Sequence, residues 1–139
     1  MTPTLTQLLA SFPVALMTPL PPEASGDFAV SRNGMIANLA GLCAHEAERG
    51  VSVRVWENGA LRTLLEAAAD RYPAASPPPV EAPQDLALSA LDRVNADLRR
   101  KLIELHTAVE LAGDTALNHD ILRLYREMAR ARRLGPLGG

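Results

Sequence analysis

Between residues 91 and 112 apolar side chains recur at alternating three- and four-residue steps: Leu91, Val94, Leu98, Leu102, Leu105, Val109 and Ala112. That period places them on one face of an α-helix and leaves the charged residues on the others. Arg93 with Asp97, Asp97 with Lys101, and Arg100 with Glu104 stand four residues apart, where opposite charges support a helix by roughly 0.2–0.5 kcal/mol per pair. Gly113 suits the left-handed residue that ends a helix, and Asp114 or Thr115 can accept the free amides that open the next one. Leu117, Ile121, Leu124, Met128 and Ala131, with Tyr125 beside them, repeat the step until Gly135 and Pro136. Two such helices with a short connection predict an antiparallel hairpin over residues 85–134.

Upstream the pattern is more broken. Thr2 and Pro3 can open a short helix with Leu5, Leu8, Leu9 and Phe12 on its apolar face, and Pro13 is the expected stop. Pro19, Pro21 and Pro22 then impose an extended arm, anchored by Val14, Leu16, Met17 and Leu20. A second helix is expected from about residue 27 or 31 to residue 49. In residues 51–56, Val51, Val53 and Val55 alternate as a strand would, whereas Leu61, Leu64, Leu65, Ala68 and Tyr72 follow helical spacing. A lone strand has no ladder partner, so a third helix is preferred from about Ser52 to Tyr72, weakened at Asn58 and Gly59. Residues 73–83 hold five prolines and read as a mobile or polyproline-like linker.

The pattern therefore predicts one all-α domain over residues 1–139. Its architecture would be a helical bundle of four main helices plus a short N-terminal helix, with a Pro-rich linker before the last two. Residues 1–26 would form the short helix and arm, 27–72 helices two and three, 73–84 the linker, and 85–134 the hairpin.

Composition narrows the partners. At 139 residues and 47% hydrophobic the chain suits one core, and with 4% aromatics that core must be mostly Leu and Ala. A net charge of −2 gives no general pull toward nucleic acid or anionic membrane. The single cysteine, Cys43, excludes an internal disulfide and fits a reducing cytoplasm. No Lys or Arg precedes Arg32, and Pro13 and Pro19 interrupt the early apolar run, so neither a secretory signal nor a membrane span is expected.

Helix two combines two unlike faces. Ile36, Leu39, Ala40, Cys43 and Ala47 form an apolar stripe, while Gly34, Asn38, Gly41 and His45 line up on the opposite side. Glycines inside a helix cost about 1 kcal/mol each relative to alanine. Close packing against another subunit, a ligand near the backbone, or a tolerated solvated face would each account for them. Arg32, followed by Asn33, either snorkels past the helix start or meets a buried carboxylate or anionic ligand.

Other chemistries lack their signatures. There is no GxxxxGK loop, GxGxxG, GxSxG or HExxH, and no Glu-x-x-His of the kind that binds two metals in a bundle, so no catalytic set, metal or cofactor is expected. Cys43 and His45, two apart on a helix, point nearly opposite ways and cannot pair as nucleophile and base. His106 with Glu110 fits a surface pair before it fits a metal or proton site. Arg123, Arg126, Arg130 and Arg133 form one stripe, with Arg132 close by. A solvated face near a helix C-terminus explains them, and so would a phosphate-bearing ligand, an acidic protein or, last, a nucleic acid, since no aromatics interleave with them.

The run Phe28, Ala29, Val30, Ser31, Arg32, followed by Ala37, Asn38, Leu39 and later by Val94, Asn95, Ala96, Asp97, Leu98, Arg99, resembles an uncharacterised family of small bacterial helical proteins. That family is often encoded beside acyl-CoA dehydrogenases and phosphotransferase-like proteins. The likeness spans residues 27–134, but the proline linker is longer here, and a lysine-rich end running into Asn-Pro is replaced by residues 130–136. It implies an accessory role near acyl-CoA metabolism and carries over no catalytic residue.

Together these readings predict a cytoplasmic, non-enzymatic accessory or interaction protein, assembled with itself or a protein partner through Gly34, Asn38, Gly41 and His45. A small-ligand protein or enzyme with Arg32 and Asn33 lining an anion pocket, a CoA-like phosphate being one candidate, is the first alternative. Nucleic-acid binding through the arginine stripe is the second.

Overall fold

The computed structural model describes residues 3, 5, 7, 8, 11, 12, 15, 26–80, 82 and 84–133. Three α-helices, α1 (Asp27–Ala68), α2 (Leu88–Ala112) and α3 (Thr115–Ala131), and a 3-10 turn at Pro73–Ala75 make up its ordered elements, and no strand occurs among the described residues. Leu5, Gln7, Leu8, Ser11 and Phe12 are helical too, with the Ser11 hydroxyl donating to the Leu8 carbonyl at 2.7 Å. So is Ala15, past the stop expected at Pro13. The rest of the extended arm and the Gly135-Pro136 stop lie outside the described residues.

Among the described residues the protein is all-α, and the expected count of four main helices is corrected to three. Helices two and three are one 42-residue helix, α1, which runs through residues 51–56 and through Asn58 and Gly59. The alternation of Val51, Val53 and Val55 loses because valine's strand preference is realised only against a neighbouring strand. Glycine's helix penalty of about 1 kcal/mol is a weak local bias that packing overrides. Gly26, at a positive φ of 75°, precedes the helix, and Asp27 sits in its first turn, where the backbone dipole favours a negative charge.

The chain divides into two compact units, Met1–Gly50 with Leu134–Gly139, and Val51–Arg133. In the first, Leu8 and Cys43 are buried and Ile36 and Leu39 half-buried, while Ala40 and Ala47 of the expected apolar stripe are exposed.

In the second unit Leu61, Leu65 and Ala68 of α1, Leu98, Leu102, Leu105 and Val109 of α2, and Leu117, Ile121, Leu124 and Met128 of α3 form one core. Within this unit α1 and α2 run the same way: the Asn58 amide donates to the Leu91 carbonyl at one end, and Arg71 reaches Asp114 at the other. Parallel helices need a long return. Residues 76–80, which are in neither helix nor strand, begin it, and a non-helical chain can cover more distance per residue than the roughly 1.5 Å of a helix. The return is fastened to the helices. Ala75 is buried in the core, Lys101 Nζ donates to the Ala74 carbonyl at 3.0 Å, and Arg62 donates to the Pro78 carbonyl.

Gly113, at φ 67°, closes α2 in the left-handed conformation, and its amide bonds the carbonyls of Val109 and Glu110. Asp114 then caps α3 by accepting from the Leu117 amide at 3.2 Å. The surface charges of α2 pair at three-residue spacing, Arg100 with Asp97 and Lys101 with Glu104, where four-residue pairs were expected. Among the described residues no helix is long and apolar enough to cross a membrane.

Candidate functional site

At one end of the second unit the core stripe of every helix runs into polar residues. Leu65 and Leu61 lead back to Asn58 and Glu57 on α1; on α2 Asn95 stands between Leu91 and Leu98; on α3 Ile121, Leu124 and Met128 lead on to Arg132, just past the helix end. Packing the three stripes together therefore brings these side chains into one place. Val94, expected on the α2 stripe, is instead exposed, and Asn95 takes the inward position.

Glu57 is fully buried at the centre. Its Oε1 accepts from Arg99 Nε at 2.9 Å, Arg99 Nη2 at 2.5 Å and Asn95 Nδ2 at 2.9 Å, and its Oε2 accepts from Arg132 Nε at 2.6 Å. Asn95 also donates to Asn58 Oδ1 at 2.8 Å and accepts from Arg132 Nη2 at 3.2 Å. Next to this cluster Arg54 Nε donates to Asp92 Oδ1 at 2.6 Å. A buried carboxylate is costly unless its oxygens are bonded and its charge is met, and both conditions hold here.

Burial pushes the Glu57 carboxyl up, but the hydrogen bonds from Arg132, Asn95 and Arg99 outweigh it and hold its pKa below the ordinary 4.5. Glu57 is therefore a permanent anion at neutral pH, suited to ordering arginines and unsuited to shuttling protons. Two arginines face one carboxylate, which leaves one positive charge over. Both guanidiniums reach the surface, with side chains 43% exposed for Arg99 and 26% for Arg132.

A second polar group ties α1 to the α2–α3 turn. Asp114 Oδ2 accepts from Arg71 Nη1 at 2.5 Å and from the Tyr72 hydroxyl at 3.3 Å. The Leu117 amide, then the charge of Arg71, hold the Asp114 carboxyl below its ordinary value, while desolvation and Asp114 itself push the Tyr72 phenol up. Along the α2–α3 contact His106 Nε2 lies 3.0 Å from Asn118 Oδ1 and 3.6 Å from Glu110 Oε1, with its ring 5.7 Å from that of Tyr125. Cys43 is a buried free thiol, and no group of three or more His, Cys, Asp or Glu able to hold a metal occurs among the described residues.

The residues singled out from sequence lie elsewhere. Arg32 is half-buried and Asn33 exposed; Gly34 and Asn38 are exposed; Gly41 and His45 are half-buried. A Cβ added at Gly34 would meet nothing within 4 Å among the described residues. Of the arginine stripe, Arg123 pairs with Asp120 at 2.8 Å, Arg126 Nε donates to the Leu122 carbonyl at 3.3 Å, and Arg130 and Arg133 are exposed. Arg132, their neighbour, turns inward. Glu57, Asn58 and Arg132 were not candidates, and Asn95 and Arg99 entered only through the family resemblance. The signal that could have found them is a polar residue at core spacing: Asn95 is four after Leu91, Arg132 four after Met128, and Glu57 four before Leu61.

No protein-family profile, curated protein or solved structure matches the chain.

Proposed function

We propose that the protein is a non-enzymatic interaction module that assembles with a second copy of itself through the outer side of α1. The observation that carries this reading is the bare flank of that helix. Phe28 and Met35, seven residues apart and so on one face, are 52% and 60% exposed, next to an exposed Gly34 with open space where a side chain would be. The exposed Gly34 and Asn38 make the adjoining strip low enough for a second helix backbone to approach, which would offset the helix cost of Gly34, and the half-buried Gly41 and His45 border it. Such a strip complements itself across a two-fold axis, with each large side chain covering the partner's small ones. The likeness of residues 27–134 to the small bacterial helical family adds an accessory role near acyl-CoA metabolism, in the cytoplasm, to this reading.

Gly34→Ala separates a covered position from an open one. In a monomer it raises helix stability by about 1 kcal/mol; across a close helix contact the new methyl group weakens association. Sedimentation velocity at tens of micromolar protein should give a dimer for the parent chain and a faster monomer–dimer exchange for Gly34→Ala. A parent chain that sediments as a monomer at that concentration overturns the reading.

A further inference from the structure

We infer that Arg99 and Arg132 form a surface site for an oxyanion, a phosphoryl or carboxylate group, on the α2–α3 side of the second unit. The inference shares no residue with the α1 reading and does not depend on it.

Charge provides the first ground. Glu57 neutralises one of the two guanidiniums, Asn58 and Asn95 are neutral, and Arg54 is matched by Asp92. Among the described residues of the cluster, one positive charge is left for an external anion. Geometry provides the second. Arg99 is anchored on Oε1 and Arg132 on Oε2 of the same buried carboxylate, so the two forks stand side by side and cannot drift apart without breaking charge-assisted bonds. Each guanidinium carries five N–H donors. Arg99 commits Nε and Nη2, Arg132 commits Nε and Nη2, and among the described residues Nη1 of neither makes a hydrogen bond.

Two fixed guanidinium edges match the oxygens of a phosphate or carboxylate, and the protein has already borne the entropic cost of ordering both arginines. Glu57 is a positioning residue here, because it holds the forks and does not touch the anion.

The test titrates the full-length protein with inorganic phosphate and, in a second arm, with acetate, sodium chloride being adjusted to constant ionic strength. Melting temperature and the side-chain Nε–H resonances of Arg99 and Arg132 are followed. A saturable rise in Tm with shifts confined to those resonances is expected. Response to phosphate alone assigns the site to phosphoryl groups, and response to both arms assigns it to oxyanions in general. Arg99→Gln, chosen because this side chain is the more exposed of the two, should weaken binding by about tenfold or more through loss of a charge-assisted contact. Arg99→Lys should retain part of it, and Arg123→Gln, on the opposite side of α3 beside Asp120, all of it. No saturable response in either arm, or an equal response in Arg99→Gln, overturns the assignment.

Discussion

Arg132 Nε donates to Glu57 Oε2 at 2.6 Å across 75 residues of chain. This bond joins the residue just beyond α3 to the C-terminal third of the 42-residue α1, and Asn95 and Arg99 bring α2 to the same carboxylate. One side chain thus ties the polar end of the bundle together, and its partners set how α3 can sit.

Removing Glu57 should cost far more than a surface substitution. Glu57→Ala leaves two guanidiniums facing each other without their shared anion, and breaking a buried pair in this way costs about 3–5 kcal/mol. Because both arginines are partly solvated, the lower end is expected. Glu57→Gln, which keeps the shape and can still accept hydrogen bonds, should lose less. Urea unfolding monitored by circular dichroism measures both, and a Glu57→Ala loss under about 1 kcal/mol would show that the cluster does not hold the bundle.

The pH dependence follows from the lowered Glu57 carboxyl. Its folded value lies below the ordinary 4.5, so the unfolded chain takes up this proton first as pH falls. The stabilisation is therefore complete above that ordinary value and is lost as pH falls through the folded one. Melting temperature should hold steady through neutral pH and decline in the acid range, and Glu57→Gln should flatten that decline. An identical acid limb in the variant would assign the proton uptake to other carboxylates.

At the α2–α3 turn, Asp114→Ala removes a helix cap and the partner of Arg71 and Tyr72 together. A stability loss of about 1 kcal/mol is expected, mostly from the cap. Asp114→Asn, which can still accept from the Leu117 amide, should recover most of it. Equal losses in both variants would point to charge as the main contribution.

The proline-rich return should tolerate little change at its buried point. Ala75→Asp places a carboxylate in the core beside α2, at a cost of about 2 kcal/mol or more. Limited proteolysis offers a second readout, since cleavage in residues 76–80 should be slow in the parent chain and faster in the variant. Rapid cutting of both would mean that the contacts of Ala74, Ala75 and Pro78 do not hold this segment.

Much of the helical content could be read from local spacing. The stripe of Leu91, Leu98, Leu102, Leu105 and Val109 is buried as its period requires, and the positive φ of Gly113 with the Asp114 cap follows from residue types that favour those conformations. These are interactions within four residues. The same local reasoning divided α1 in two, because valine alternation and two glycines look like a boundary when no neighbours are in view. It also placed Val94 inward, where three- and four-residue steps allow Val94 or Asn95 and hydropathy favours valine. The polar cluster escaped notice for the same reason: an inward polar residue makes sense only once its partner is known.

By itself, then, the order of residues determined that this protein is helical, where α2 turns into α3, and which leucines face inward, since those properties arise from bonds and contacts between near neighbours in the chain. Tertiary packing alone decided that α1 is continuous, that α1 and α2 run in parallel with Ala74, Ala75 and Pro78 held against them, and that Arg132 abandons its neighbours on the arginine stripe for Glu57. Each of these depends on what lies across the core, and the free energy of a buried charge is settled there.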